Sequence, residues 1–160
     1  MEFQTSAFQI FDKEWALLTA GIEGDFNTMT ISWGGLGTLW SKPVATVYVK
    51  PIRYTHRFME QNEYFTVSFF PEECRPALAL LGSRSGRDGD KVAAAGLHPV
   101  YLDGAVTFRE ATRTLLCRKL YRQDMDVSAM PAEVVRTYYT KEAPHTVFIG
   151  EVVDILGESK

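Results

Sequence analysis

The chain has 160 residues, of which 46% are hydrophobic, and its 17 basic and 20 acidic side chains give a formal net charge of −3. This length corresponds to about one domain with a sizeable core, so residues 1–160 are expected to fold as a single unit. Because the sequence lacks a basic field, an apolar run of the ~20 residues that span a membrane and a signal peptide, we expect a cytoplasmic protein that binds neither nucleic acid nor membrane.

Short runs rich in β-branched and aromatic residues, bounded by Gly, Pro, Asn or Asp, predict eight β-strands. The predicted strands are residues 15–22, 28–33, 44–50, 64–70, 99–102, 105–108, 112–121 and 146–156. The segment between Gly21 and Gly24 is typical of a hairpin turn. Eight short strands in a chain of this length indicate an antiparallel barrel or sandwich rather than a parallel α/β sheet.

Four helical segments are predicted between these strands. Their bounds are residues 55–61, 72–81, 88–95 and 131–137. Thr55 and Asp88 are the predicted N-caps, and Gly82 and Gly96 are the predicted helix stops. Pro76 fits the second helix only if it lies in the first turn.

Familiar catalytic and metal-binding motifs do not occur in this sequence. His56, His98 and His145 are widely spaced, and Cys74 and Cys117 are too few for a disulfide framework. There is no CxxC, HExxH, GxSxG or P-loop pattern. The sequence Gly-Gly-Leu-Gly at 34–37 lacks the third glycine and the following helix of a dinucleotide-binding fold. We therefore expect no metal site and no separate nucleotide-binding motif.

The segment 82–91 is suited to bind an anion. It combines glycines, among them Gly86, with the hydroxyls of Ser83 and Ser85 and with three cations that include Lys91. Glycines allow successive N–H groups to converge on an anion, and hydroxyls and cations add charge-assisted hydrogen bonds. The alternative is an ordinary solvated surface loop.

The segment 50–55 has a similar character. A predicted strand ends here, Arg53 follows, and Thr55 stands at the start of a helix whose N-terminal amides favour an anion. Alternatively, Thr55 only caps its own helix and Arg53 is solvated. Two anion-suited segments in one small domain make a shared phosphate site more credible than either segment does alone.

The segment 25–34 is suited to a flat heterocycle. Its small polar residues and glycine would let a planar ring approach the main chain, whose N–H and C=O groups could bond the polar edge of a flavin. Met29 or Trp33 would then pack on a face of the ring. The alternative is an ordinary hairpin with Trp33 in the core. The residues themselves indicate a small β-rich domain with a possible site for a phosphorylated ligand.

At these segments the sequence resembles the flavin reductase-like, FMN-binding split-barrel family, which includes flavoredoxins and NAD(P)H:flavin oxidoreductases. The matching motifs follow the family's order over roughly residues 10–156. They are Asn-Thr-Met-Thr-Ile-Ser-Trp-Gly at 27–34, Lys-Pro-Val-Ala-Thr-Val-Tyr-Val-Lys-Pro-Ile-Arg-Tyr-Thr at 42–55, Tyr-Phe-Thr-Val-Ser-Phe-Phe-Pro at 64–71, Gly-Ser-Arg-Ser-Gly-Arg-Asp-Gly-Asp-Lys at 82–91, Cys-Arg-Lys-Leu-Tyr at 117–121, and His145 with Ile-Gly-Glu-Val at 149–152. The resemblance implies a mainly β, six-stranded antiparallel split barrel with flanking helices. It also implies a homodimer that holds FMN in a cleft at the subunit interface.

The resemblance further implies which residues form the site. Those expected along the isoalloxazine ring, mostly through main-chain groups, are Asn27, Thr28, Met29, Thr30, Ile31 and Ser32, with Trp33 and Tyr54 as aromatic walls. Those expected around the phosphate are Arg53, Thr55, Ser83, Ser85, Gly86 and Lys91. His145 lies where related reductases keep a residue beside the flavin and the nicotinamide, and its alternative is a structural role.

The function implied by the resemblance is electron transfer from NAD(P)H through FMN to an acceptor, such as free flavin, a ferric complex or a partner protein. FMN carries the hydride chemistry, so no general acid or base is needed. Two alternatives stay open: a flavoredoxin-type carrier with permanently bound FMN, and a non-redox barrel that holds another phosphorylated ligand. The sequence does not distinguish NADH from NADPH.

Overall fold

A computed structural model describes residues 1–157 of the chain. The strands are β1 (Ala16–Ile22), β2 (Asp25–Ile31), β3 (Gly34–Leu39), β4 (Lys42–Val49), β5 (Tyr64–Phe69), β6 (Pro99–Leu102), β7 (Ala105–Phe108), β8 (Arg113–Asp124) and β9 (Thr146–Gly157). The helices are α1 (Tyr54–Gln61), α2 (Arg75–Ser83), α3 (Lys91–Ala94) and α4 (Ala132–Tyr138). Seven strands form one sheet in the order β2-β1-β5-β8-β9-β4-β3, and β6 pairs with β7 in a separate ribbon. Every strand pair is antiparallel.

The seven-stranded sheet is rolled so that one end of each edge strand lies near the other. β2 forms one edge and β3 the other, yet only Ser32 and Trp33 separate these strands in sequence. Three Cα–Cα steps of 3.8 Å reach at most about 11 Å, so the end of β2 lies close to the start of β3. No ladder joins β2 to β3 in residues 1–157. The predicted fold class, a mainly β antiparallel split barrel with flanking helices, is confirmed.

The sheet has seven strands rather than six because β3 is a strand that the sequence pattern does not reveal. Half of its residues are glycine, which is a weak β-former. β3 nevertheless pairs with β4 along its whole length, from Gly34 opposite Val47 to Leu39 opposite Lys42. The predicted strand 28–33 is shifted as well: β2 begins at Asp25, because the predicted hairpin turn brings Ile22 opposite Asp25.

Two helix starts differ from the sequence predictions. Arg53, rather than Thr55, is the N-cap of α1, and the Thr55 hydroxyl accepts a hydrogen bond from the Asn27 side chain instead. Asp90, rather than Asp88, caps α3 by accepting a 3.0 Å hydrogen bond from the N–H of Ala93. Residues 86–88, which the prediction places partly inside this helix, form a separate 3-10 turn.

The predicted helix 72–81 consists of two parts. A 3-10 turn at Glu72–Cys74 precedes α2, so that Pro76 lies in the first turn of α2, as its ring requires. Gly82 does not end this helix, which continues to Ser83. A Cβ at Gly82 would lie 3.3 Å from the Cβ of Thr30, so the glycine allows the end of α2 to approach β2 closely.

The core has two parts, and the second part positions the loop that follows α2. The barrel interior is filled by side chains such as Leu18, Val47, Phe65, Phe69 and Phe148. The second cluster packs α2 and α3 against the outside of the barrel through Leu17, Leu78, Leu81, Val92 and Phe108. As a result, the loop between α2 and α3 lies alongside β2. Within the described part of the chain, the helices are too short or too polar to cross a membrane.

Candidate functional site

Two adjoining cavities lie along the edge strand β2. The seam cavity, of about 340 Å³, is lined by Met29, Thr30, Ile31, Ser32, Trp33, Tyr48, Lys50, Ile52, Arg53, Glu142 and His145. The loop cavity, of about 260 Å³, is lined by Asn27, Met29, Ile52, Arg53, Tyr54, Thr55, residues 82–87 and Lys91. Met29, Ile52 and Arg53 line both cavities, which therefore form one continuous cleft. Its size lies in the range of small-molecule sites.

Every residue that the sequence predicts for the site lines one of these cavities except Thr28. Side chains alternate between the two faces of a strand, so Thr28 points away from Asn27 and Met29. Its hydroxyl is fully buried, donates to the carbonyl of Leu18 at 3.2 Å and lies 2.8 Å from the hydroxyl of Thr19. The Thr28 side chain is therefore structural, and only its main chain lies near the cleft.

Strand β2 offers main-chain hydrogen-bonding groups to the cleft. Its inner side pairs with β1, and as an edge strand it has no second strand partner within residues 1–157. The N–H and C=O groups on the outer side of such a strand need partners from a ligand, a loop or water. A flat polar ring lying along residues 29–32 would supply them.

The loop cavity is strongly cationic. Its lining residues, all within the described chain, include Arg53, Arg84, Arg87 and Lys91 but no carboxylate. Lys91 is only 5% exposed, and its ammonium group donates to the carbonyls of Leu81 and Arg84 at 3.2 and 3.1 Å. An ammonium group has three protons, so one remains for a ligand.

Burial disfavours the charged forms of Lys91 and Arg53 in the loop cavity, and the charge of Arg53 further disfavours that of Lys91. Burial, and to a lesser degree the neighbouring charge of Arg53, lower the pKa of Lys91 to about 8. Burial also lowers the pKa of the Arg53 guanidinium, which donates to the carbonyl of Gly82 at 3.3 Å. An anion between Lys91 and Arg53 would stabilise the charged form of each, because an opposite charge stabilises a buried cation.

Neutral donors complete the loop cavity. Arg53 caps α1 without a side-chain hydrogen bond, which leaves N–H groups of the first turn for a ligand. The Thr55 hydroxyl accepts from Asn27 at 2.8 Å, and the Ser85 hydroxyl accepts from the N–H of Arg87 at 3.2 Å, so both keep their own proton to donate. Ser83 differs, because its hydroxyl already donates to the Leu80 carbonyl.

The seam cavity is bordered by aromatic side chains. Trp33 is 45% exposed, so the alternative that it belongs to the core is wrong. Its ring meets the edge of Tyr138 at 5.3 Å and lies 5.6 Å from the ring of His145. Tyr54, the second predicted aromatic wall, lines the loop cavity instead, beneath the guanidinium of Arg87 at 4.8 Å.

His145 is a buried histidine beside the seam cavity. Its Nδ1 atom lies 2.8 Å from the hydroxyl of Tyr139. Burial lowers the pKa of His145, the charge of Lys50 lowers it further, and Glu142 opposes this effect. The imidazole is therefore neutral at pH 7.

Sequence reasoning misses the contribution of the segment after α4. Glu142 lines the seam cavity and pairs with Lys50 at 2.7 Å, and Tyr139 supports His145. This segment carries no motif that points to a ligand, and its contacts join residues far apart in sequence. One signal was available, because Lys50 stands at the end of a predicted strand and begins the anion-suited segment 50–55.

The cleft fits the FMN implied by the sequence resemblance. The cationic loop cavity suits a phosphate, and the exposed edge of β2 with the aromatic border of the seam cavity suits a flat ring with polar atoms. A Cβ at Gly86 would collide with the Asn27 side chain, so only glycine at position 86 allows the loop after α2 to approach β2 this closely. In residues 1–157, no group of three His, Cys, Asp or Glu side chains is placed to hold a metal ion.

Comparisons with known proteins agree with this description of the fold. The family model "Flavin reductase like domain" matches residues 9–160. A flavoredoxin from Methanosarcina acetivorans is similar in structure, with a TM-score of 0.73, 21% identity and coverage of 99% of this chain and 75% of that chain. An FMN-binding protein from Thermus thermophilus, solved with bound p-hydroxybenzaldehyde, has a TM-score of 0.73 and 20% identity. The match covers 99% of this chain and 82% of that chain. An NADH:FAD oxidoreductase from Streptomyces globisporus C-1027 has a TM-score of 0.70 and 18% identity. The match covers 91% of this chain and 75% of that chain. Among curated proteins, none matches this sequence significantly.

Proposed function

The chain belongs to the family of flavin reductase-like domains, and we propose that it binds FMN noncovalently and transfers electrons from NAD(P)H through FMN to an acceptor. The observation that carries this proposal is the continuous cleft, which is cationic at one end and has an open strand edge with aromatic side chains at the other. FMN, when bound, supplies the hydride and single-electron chemistry. The protein supplies binding, orientation and electrostatic stabilisation.

The loop cavity would hold the phosphate. Arg53 and Lys91 supply positive charge, and the first turn of α1 and the hydroxyls of Thr55 and Ser85 supply neutral donors. Hydrogen bonds to a charged partner contribute more than neutral ones, about 1.5–3 kcal/mol each. This part of the site therefore provides affinity and anchors one end of the cofactor.

The seam cavity would hold the ring. The outer edge of β2 offers main-chain donors and acceptors, while Met29 and Ile31 offer apolar contact. Arg53 lines both cavities, so its positive charge also lies near the ring position and would stabilise negative charge that develops on reduction. No catalytic acid or base is required for this role.

The same proposal includes a homodimer. Trp33 and Ile52, which line the seam cavity, are 45% and 59% exposed, and Tyr138, whose ring packs against Trp33, is 47% exposed. A second subunit packed against these side chains would bury apolar area and shield the ring from water.

The test is a reduction assay with the full purified chain. It is mixed with FMN and then with NADH or NADPH, and the visible flavin absorbance is followed. Rapid turnover that saturates with free FMN supports the reductase. Bound FMN that neither nucleotide reduces, but that dithionite reduces and a ferric complex reoxidises, identifies an electron carrier instead. A protein without affinity for FMN contradicts the proposal and leaves a barrel for another phosphorylated ligand.

A further inference from the structure

Tyr139 forms a direct contact with His145 that the proposed function does not use. The two hydrogen-bonded atoms, the Tyr139 hydroxyl and His145 Nδ1, are 2.8 Å apart, and the two rings meet at 79° with centroids 5.6 Å apart. Tyr139 follows α4, whereas His145 immediately precedes β9. The hydroxyl therefore ties the segment after α4 to the wall of the seam cavity.

We propose that Tyr139 is a positioning residue that holds His145 in the neutral tautomer with its proton on Nε2, so that His145 presents an N–H donor to the seam cavity. The geometry between Tyr139 and His145 is independent of any ligand. What the donor binds rests on the proposed function: it would be an acceptor atom of the flavin ring or the carboxamide oxygen of a nicotinamide.

The direction of the hydrogen bond follows from the chemistry of its two groups. A phenol is a good donor, and the bare ring nitrogen of a neutral imidazole is a good acceptor. The Tyr139 hydroxyl has no other partner within residues 1–157, so its proton is free to point at Nδ1. When Nδ1 accepts, the single proton of the neutral imidazole must be on Nε2.

The Nε2 atom of His145 has no hydrogen-bond partner among the described residues. It also keeps some exposed surface, because Arg118 Nε is the only fully enclosed side-chain nitrogen or oxygen without a partner in residues 1–157. His145 is 9% exposed and lines the seam cavity. The small exposed part of His145 therefore includes a donor that a ligand in this cavity can reach.

The ring of His145 is held on several sides. Its carbonyl accepts a 3.0 Å hydrogen bond from the N–H of Met125, which fixes the main chain. The rings of Trp33 and Tyr139 both have centroids 5.6 Å from the imidazole. The imidazole consequently has little freedom to turn, and the hydroxyl of Tyr139 decides which nitrogen carries the proton.

Among the charged groups around His145, Lys50 favours the neutral ring, whereas Glu142 opposes this effect. Lys50, at the end of β4, donates to Glu142 at 2.7 Å and lies 5.8 Å from the centre of the Tyr139 ring. Arg53, which precedes α1, lines the same cavity. Burial and the charge of Lys50 lower the pKa of His145, and burial raises the pKa of Tyr139. The phenol therefore keeps its proton at neutral pH.

The test measures the tautomer and the pKa of His145 by nitrogen-15 NMR of the imidazole in the full chain without FMN. We expect the spectrum of the unmodified protein to show a bare Nδ1 and a protonated Nε2. In Tyr139→Phe, loss of the donated hydrogen bond removes a stabilisation of the neutral form. The pKa of His145 should then rise, with a roughly 2- to 12-fold gain in proton affinity that corresponds to one neutral hydrogen bond.

Tyr138→Phe is the matched control. Tyr138 is adjacent in sequence and its ring packs on Trp33, but its hydroxyl makes no hydrogen bond within the described chain. This variant should leave both the tautomer and the pKa of His145 unchanged. A proton on Nδ1 in the unmodified protein, or a pKa of His145 that falls or stays constant in Tyr139→Phe, overturns the inference.

A second measurement separates this inference from the proposed function. On addition of FMN, we expect the Nε2–H resonance of His145 to shift and the Kd of Tyr139→Phe for FMN to rise about 2- to 5-fold, the effect of a partly lost hydrogen bond. An Nε2–H resonance that changes neither on addition of FMN nor on further addition of NADH or NADPH overturns the assignment of His145 as a donor to the ligand. Absence of FMN binding contradicts the proposed function, while the tautomer measurement still decides the role of Tyr139.

Discussion

The amide oxygen of Asn27 occupies the place where a side chain at Gly86 would begin. A Cβ built at Gly86 would lie 2.1 Å from Asn27 Oδ1 and 3.0 Å from a ring carbon of Tyr54. This contact joins the loop after α2 to β2 and holds together the two segments that form the loop cavity. The Asn27 side chain is itself fixed, because its amide donates to the Thr55 hydroxyl at 2.8 Å.

We expect Gly86→Ala to weaken both folding and FMN binding. The new methyl group must displace the Asn27 side chain, which breaks its hydrogen bond to Thr55, so the free energy of unfolding should fall by about 1–2 kcal/mol. Urea unfolding measures this change, and FMN titration measures the loss of affinity. Gly37→Ala is the control, because a Cβ at Gly37 meets no atom within 4 Å. Equal unfolding free energies and equal FMN affinities of the two variants would contradict the proposed role of the contact between Gly86 and Asn27.

The affinity for FMN should fall as the pH rises through about 8. In the free protein the pKa of Lys91 is lowered to about 8 by burial and by Arg53, and a bound phosphate would raise it again. Binding therefore favours the protonated ammonium, and above this pKa the affinity decreases by up to about tenfold per pH unit. Fluorescence titration between pH 7 and 9, chosen on either side of the lowered pKa, measures the slope.

Riboflavin and Lys91→Met provide the controls for this pH dependence. Riboflavin lacks the phosphate, so its affinity should not change over the same range. In Lys91→Met the group that titrates is removed, so FMN should bind more weakly and with a flat profile. An unchanged slope in this variant would show that another group is responsible.

Arg53→Gln should discriminate between phosphorylated and unphosphorylated flavin. Loss of a charge-assisted hydrogen bond to the phosphate should weaken FMN about 10- to 100-fold, whereas riboflavin should lose much less. Arg57→Gln is the matched control on the same helix, because Arg57 stacks on the rings of Tyr54 and Phe58 and lines neither cavity. The phosphate assignment is wrong if Arg53→Gln weakens both flavins equally.

Thr28→Val should destabilise the fold and leave FMN binding unchanged. The substitution leaves the buried hydroxyl of Thr19 without its partner, which costs about 1–3 kcal/mol of unfolding free energy. The double variant Thr19→Val/Thr28→Val should recover part of this loss, because both polar groups are then removed. Urea unfolding and FMN titration test these expectations, and a large loss of FMN affinity in Thr28→Val would show that this side chain belongs to the site after all.

The sequence predicts most of the cleft because its chemistry is concentrated in three short segments. Glycines, hydroxyls and cations that are close in sequence stay close in the fold, so the residues around Ser85 and around Arg53 could be identified without coordinates. Their meeting depends on the packing of α2 against the barrel through residues such as Leu78 and Leu81. The pattern of the sequence does not contain that arrangement.

The features that the sequence does not predict depend on distant partners. β3 becomes a strand because β4 pairs with it, although half of its residues are glycine. Thr28 is buried opposite Thr19 because of the register between β1 and β2, which the strand pattern leaves undetermined. Glu142 reaches the cleft, and Tyr139 reaches His145, only because the segment after α4 lies against Lys50 and His145.

The most direct test of the central claim is a crystal structure of the full chain grown with FMN. We predict density for the phosphate within hydrogen-bonding distance of Lys91 Nζ and Arg53, and for the flavin ring along the outer edge of β2 between Met29 and Trp33. FMN bound elsewhere on the protein, or no FMN density in either cavity at saturating concentration, would contradict the account.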